Sequence, residues 1–196
     1  MNKVNKSKRP IRLKAGLSAI FFLASVYMLD PQMALPCFIA AAFHECGHIL
    51  AAKILGIRLS EMRLDLFGAR LSVSSASISY LNEFLLCAAG PLFSFLLTAF
   101  LCFFTKNNLI QNLSAASLFL GLLNLIPVRG FDGGRILYSL VSLLASPVAA
   151  DLFERFFTSV FLIFLWGISV YLMLIIGGGL SLFVFSIGFF CKIFLS

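Results

Sequence analysis

The two histidines of this 196-residue chain stand four apart, in Phe43-His44-Glu45-Cys46-Gly47-His48, and the chain has no others. On a helix that spacing puts both imidazoles on one face, one turn apart, where a single ion can meet both. Glu45 lies between them, and the whole motif sits inside an apolar run from about Ala34 to Leu55. Charged and polar side chains are costly at membrane depth, and their presence there points to a functional site. This spacing reads as half of a zinc site.

A catalytic zinc takes three protein ligands and leaves a fourth position for water. With no third histidine, the remaining ligand is sought among the other acids: Asp30, Glu61, Asp65, Glu83, Asp132, Asp151 and Glu154. Only Asp132 falls at the inner end of an apolar span within irregular, glycine-rich sequence, Val128-Arg129-Gly130-Phe131-Asp132-Gly133-Gly134-Arg135. Such backbone is tolerated at membrane depth only where it is buried in protein or lines a cavity. Asp132 is the expected third ligand. Charge agrees, since Zn²⁺ with ionised Asp132 and Glu45 sums to zero. Two buried carboxylates without a cation would each cost ~2.5–3.5 kcal/mol. Small residues beside the motif (Ala40, Ala41, Gly47, Ala51, Ala52) let neighbouring helices approach closely.

The elements that must position these groups are set by composition. Hydrophobic residues make up 61% of the chain and charged residues only 12%, with 23 phenylalanines and a mean hydropathy of +1.03. Those values belong to a protein whose solvent is lipid. The net charge of +7 is concentrated before the first apolar run, at Lys3, Lys6, Lys8, Arg9, Arg12 and Lys14. This is a positive-inside signal and a contact for anionic lipid, and it places the N-terminus in the cytoplasm. No other basic face is available, so nucleic acid is excluded as a partner. The five cysteines (37, 46, 87, 102 and 191) are odd in number, without paired spacing, and read as small buried hydrophobes.

Taken in order, the chain offers a first span at about 13–29, which lacks the small residues of a cleavage site near its end. Asp30-Pro31-Gln32 turns it into a second span, 34–55, whose inner half holds His44 and His48. Residues 57 to about 80 alternate apolar and polar with Gly68 placed for a turn, which predicts a short β-hairpin. A third span, 82–104, contains Gly90-Pro91, and a fourth, 109–126, runs into Pro127. Ile136–Ala149 is a short apolar helix; spans at 156–176 and 180–195 follow, separated by Gly177-Gly178-Gly179. The expected fold class is an all-α polytopic membrane protein with about six transmembrane helices and a small cytoplasmic β-hairpin between the second and third spans. Residues 1–196 form one multi-pass domain of the cell membrane, with a basic cytoplasmic tail at 1–14, a core at 34–146 and C-terminal spans at 151–196. An even span count puts the C-terminus in the cytoplasm as well.

His44-Glu45-Cys46-Gly47-His48, then Gly90-Pro91, then Asn124-Leu125-Ile126-Pro127-Val128-Arg129-Gly130-Phe131-Asp132-Gly133-Gly134 together resemble the site-2 protease family of intramembrane zinc metalloproteases. The resemblance covers about residues 34–146, the family's three-helix catalytic core. It implies that His44, His48 and Asp132 bind one Zn²⁺ per chain, that Glu45 is catalytic, and that Asn124 lies near the substrate. Ser94 departs from the pattern, standing where many relatives carry asparagine. The length leaves no room for the PDZ insertion or the C-terminal CBS domain of some relatives, so a minimal form is expected.

The function implied is a zinc-dependent endopeptidase cutting a membrane-embedded protein near the cytoplasmic side, as in regulated intramembrane proteolysis. A single-span protein or a signal-peptide-like segment in the lipid bilayer would be its substrate. Two alternatives remain at this point. Intramembrane His and Glu also mark ion pathways, which would make the chain a metal-ion transporter, although no file of polar ligands crosses the bilayer. A non-catalytic binder of membrane clients would not need Glu45.

Overall fold

The computed structural model of the protein describes residues 12–15, 31–57, 59–65, 68–73, 78–104 and 107–176, together with 183, 186, 187 and 190. Among them are three strands, β1 (Arg12–Ala15), β2 (Leu59–Asp65) and β3 (Gly68–Val73), and five helices. The helices are α1 (Pro31–Ile54), α2 (Tyr80–Leu101), α3 (Asn108–Asn124), α4 (Asp132–Leu144) and α5 (Pro147–Ile176). The chain divides into two compact units, 1–123 and 124–196.

In the first unit, Pro31 opens α1, where a missing N–H costs nothing because first-turn donors have no intrahelical acceptor. The buried residues of α1 are Pro36, Ala40, His44, Gly47, His48 and Ala52, a stripe at three- and four-residue steps. That stripe packs on α2. A Cβ at Gly47 would lie 2.6 Å from the Ala89 carbonyl oxygen and 2.9 Å from the Phe93 side chain, so the two backbones approach as only glycine allows. Gly56, at φ +66°, ends α1. The Ile57 amide returns to the Ala52 carbonyl (2.8 Å) and the Gly56 amide to that of Lys53 (3.3 Å), a Schellman closure.

Helix α2 starts at Ser79, whose hydroxyl accepts from the Asn82 amide, with Glu83 in the first turn to complement the helix dipole. Pro91 lies inside α2, where its missing N–H is tolerated by burial with Gly90 and Ser94 against neighbouring helices. Helix α3 is tied to α2 through side-chain hydroxyls. Ser117 donates to the Ser94 carbonyl (2.9 Å), and Thr98 donates to the carbonyls of Ser94 (3.0 Å) and Ser114 (3.3 Å).

The expected fold class is corrected on two counts. Three helices among the described residues are long and apolar enough to cross a membrane, Pro31–Ile54, Tyr80–Leu101 and Pro147–Ile175, against about six expected. The fourth expected span is α3, which stops after 17 residues, roughly 26 Å against a hydrocarbon layer of about 30 Å. The break before Pro127 limits it. The first expected span opens in a strand, β1, and its residues 16–29 lie outside the described ones, as does most of 180–195.

The second correction is that the chain is not all-α with one isolated hairpin. A single three-stranded sheet has the order β1-β2-β3, with β2 and β3 antiparallel (Asp65 opposite Gly68, Leu59 opposite Val73). β1 runs parallel to β2, Arg12 opposite Glu61 through Ala15 opposite Leu64. Parallel neighbours need a long crossover, here residues 16–58 with α1 among them, and no local pattern announces such a pairing.

In the second unit, a tight loop joins the end of α3 to α4. The Val128 amide reaches the Ile126 carbonyl across Pro127 (2.8 Å), the Phe131 amide reaches that of Val128 (3.1 Å), and Gly130 takes φ +105°. A Cβ at Gly133 would collide with the carbonyls of Leu125 and Ile126, and one at Gly134 with that of Val128. The loop therefore lies directly on the first turn of α4. Arg129 ties it to α5: its amide donates to Thr158 Oγ1 (3.0 Å), and its guanidinium donates to Glu154 Oε2 (2.9 and 3.1 Å) and Asp151 Oδ1 (2.9 Å).

Helix α5 begins at Pro147, with the Ser146 hydroxyl accepting from the Ala149 amide (3.2 Å), nine residues ahead of the expected Phe156. The charged residues 151, 154 and 155 are thus helical. Their charges are internally compensated by Arg129 and by an Asp151–Arg155 pair at 2.8 Å. Large apolar side chains elsewhere face outward, Ile54, Leu174 and Ile163 among them, each more than 70% exposed. Lipid is the solvent that suits such a surface.

Candidate metal centre

His44 and His48 reach the buried face of α1 because α1 is regular through this stretch and the four-residue step returns them to one side. They are 3% and 5% exposed, with ring centroids 5.0 Å apart and planes at 77°. Each ring is held at its Nδ1 end by α2. His48 Nδ1 donates to the Leu86 carbonyl (2.8 Å), and His44 Nδ1 bonds the Ser94 hydroxyl (2.9 Å). Leu86, Gly90 and Ser94 stand at four-residue steps, so one face of α2 supplies both partners and the gap between them. The two Nε2 atoms converge at 3.3 Å over that gap.

The gap exists because residue 90 is glycine. A Cβ there would fall on His48 Nε2 and within 2.6 Å of His44 Nε2. This cradle leaves room for a metal ion beside both Nε2 atoms. Two nitrogen ligands at ~2.0–2.1 Å from a tetrahedral zinc lie about 3.3–3.4 Å apart, which the Nε2 separation matches. A carbonyl only accepts, so the His48 proton sits on Nδ1 and its Nε2 presents a lone pair. Ligating atoms of His44, Glu45 and His48 all lie within 4.8 Å of one another. Glu45 is half-buried beside the pair, and Cys46, two residues from each imidazole, is exposed. The donor set fits zinc.

The structure brings together His44, Glu45 and His48. Asp132 is the first residue of α4, half-buried, at a helix N-terminus that favours an anionic side chain. Asn124 is the last residue of α3 and is buried. Both belong to the second unit. Sequence reasoning left two participants unassigned. Ser94 is fully buried on His44, and its place after Gly90-Pro91, where the family pattern carries a polar residue, was the available signal. Arg129 holds the loop ahead of Asp132, and the acids at 151 and 154 were the sign that a cation had to meet them. Burial alone would lower the Arg129 pKa, but hydrogen bonds and charge from Glu154 and Asp151 outweigh it and hold the guanidinium above its ordinary range.

A family model described as Peptidase M50B-like matches residues 13–193 of the chain. A zinc metalloprotease of Methanocaldococcus jannaschii is 31% identical over 161 residues, which is 76% of this chain and 45% of that protein. A candidate zinc metalloprotease of Synechocystis is 34% identical over 123 residues, 59% of this chain and 32% of that protein. The chain thus spans less than half the length of these curated relatives. Among solved structures, the site-2 protease from Methanocaldococcus jannaschii superposes with a TM-score of 0.70, covering 95% of this chain and 89% of that one at 22% identity. That likeness establishes a shared fold.

Proposed function

The chain belongs to the Peptidase M50B-like family, and from that premise we propose that it is a zinc-dependent intramembrane endopeptidase acting on a membrane-embedded protein substrate. The observation that carries the reading is the buried His44–His48 pair. Both Nδ1 ends are held by α2 and both Nε2 ends converge over Gly90, on a helix long enough to span a bilayer. Zinc metalloproteases are what its curated relatives are named for.

In this reading His44 Nε2, His48 Nε2 and the Asp132 carboxylate hold the zinc, one per chain. Zinc, when bound, makes a water nucleophilic near neutral pH and polarises the scissile carbonyl. Glu45 takes the proton of the attacking water and returns it to the leaving amine, the work of a positioned general acid–base. The Asn124 amide lies beside the extended substrate and donates to a backbone carbonyl. Ser94 and the Leu86 carbonyl keep both imidazoles turned toward one point.

The substrate is a single-span protein or a signal-peptide-like segment whose helix unwinds locally, since a helical peptide bond is shielded by its own hydrogen bonds. The basic residues before Ala15 favour a cytoplasmic N-terminus, and cleavage falls toward that side because the histidines lie in the half of α1 nearer its Lys53 end. The cytoplasmic C-terminus rested on an even count of six spans and is withdrawn with it. A transporter would need ligands along the whole membrane thickness, and the candidate metal cluster among the described residues is a single compact group.

Reconstitution with a single-span substrate tests the proposal. Glu45→Gln is expected to abolish cleavage while zinc remains bound. Unchanged cleavage removes Glu45 from the mechanism, and zinc uptake into vesicles without cleavage favours transport.

A further inference from the structure

Helix α5 carries Asp151, Glu154 and Thr158 at steps of three and four, so the three share one face of it. Glu154 and Thr158 are 7% and 2% exposed. A buried carboxylate is costly unless it is paired. Arg129 meets all three residues. Its Nε and Nη2 donate to Glu154 Oε2 (3.1 and 2.9 Å), and Nη2 also donates to Asp151 Oδ1 (2.9 Å). Its backbone amide donates to Thr158 Oγ1 (3.0 Å). The side chain and the main chain of one loop residue are thus fastened to the same face of one helix.

That fastening bears on Asp132, three residues further on. The Phe131 amide closes the loop across Arg129 by bonding the Val128 carbonyl (3.1 Å), and Asp132 follows as the first residue of α4. Gly133 and Gly134 then bring the first turn of α4 against the carbonyls of Leu125, Ile126 and Val128. Helix α4 itself packs on α5. The segment before Asp132 and the helix after it are therefore both held by α5. A lysine could balance the charge of Glu154, but a planar guanidinium bonds two carboxylates in a fixed direction. The amide bond to Thr158 brings no charge at all and fixes only position. Charge compensation alone explains neither feature.

We propose, resting on the reading of Asp132 as a zinc ligand, that Arg129 is a positioning residue through which α5 sets where the Asp132 carboxylate stands. Helix α5 begins at Pro147, beyond the three-helix core at 34–146, so the support of the metal site extends past that core. Groups that orient a ligand without touching the metal are worth roughly 10–100-fold in affinity.

The zinc affinity of full-length protein in bilayers tests this, read by competition with a chromogenic chelator at a temperature where each chelated variant remains folded by circular dichroism. Arg129→Lys keeps the charge and loses the fork; Thr158→Val keeps the shape and loses the acceptor. Each should weaken zinc binding roughly tenfold. Arg155→Ala removes only an exposed partner of Asp151 and should leave the affinity within about twofold of wild type. In an Asp132→Asn background the changes at 129 and 158 should have no further effect, because the ligand they position is gone. Wild-type affinity, within about twofold, in either single variant would overturn the proposal, as would the same loss with and without Asp132. An Asp132→Asn protein that binds zinc as wild type does would overturn the ligand reading itself. That failure differs from Asp132-dependent binding that is indifferent to Arg129.

Discussion

A methyl group at position 90 would occupy the point on which both imidazoles converge, since a Cβ there meets His48 Nε2 and His44 Nε2 together. On propensity alone Gly90→Ala should favour the helix by about 0.5–1 kcal/mol. The two effects oppose each other and can be read separately. The expected outcome is loss of most bound zinc and of proteolysis, measured by metal content, without the thermal unfolding midpoint of the chelated protein collapsing. Retained zinc would show that the ion lies elsewhere. At this scale the sequence was informative where chemistry is local: His44, Glu45 and His48 are a contiguous motif, and a four-residue step means one face. Ser94 lay fifty residues away, and its bond to His44 depends on how α1 and α2 pack. Spacing carries no information about that.

Among the elements, the most constrained is the loop between α3 and α4. Its carbonyls rest on Gly133 and Gly134, and Arg129 fastens it to α5 by backbone and guanidinium together. The Glu154 side chain in that network is 9% exposed, whereas Arg129 is 42% and the neighbouring Arg155 is 67% exposed. Removing Arg129 strands a buried carboxylate; removing Arg155 leaves Asp151 with Arg129. Arg129→Ala is therefore expected to destabilise the protein by about 1–3 kcal/mol, and Arg155→Ala by less than about 0.5 kcal/mol, as for an exposed i,i+4 pair. Thermal unfolding in detergent reads both, and equal losses would contradict the clamp. Since the bonds to Glu154 and Asp151 raise the Arg129 pKa, the guanidinium's share of this stability is present below the ordinary arginine range wherever those two carboxylates are ionised. Two helix ends were legible here, through Gly56 after α1 and Pro127 after α3. The start of α5 was misjudged because its charges look like a loop until Arg129 is seen to compensate them.

Over the whole molecule, composition announced the solvent and little more. The proportion of apolar residues and the outward-facing Ile54, Ile163 and Leu174 agree on lipid, but hydropathy counted six spans where three helices among the described residues meet the length and apolarity of one. The expected span at 109–126 is cut short by the backbone break before Pro127, while those at 13–29 and 180–195 fall largely outside the described residues. The sheet escaped for a different reason, since β1 and β2 pair in parallel across residues 16–58 and no short-range alternation encodes that. What the molecule is proposed to do follows from placing a metal-ligand pair on a helix that can cross the bilayer. The measurement closest to that claim is the position of the cut. Wild-type protein reconstituted with a single-span substrate should yield products whose new termini, by mass spectrometry, lie within the apolar segment. Chelation should stop the reaction and zinc should restore it. Cuts confined to the polar flanks, or persisting in zinc-free protein, would contradict the account.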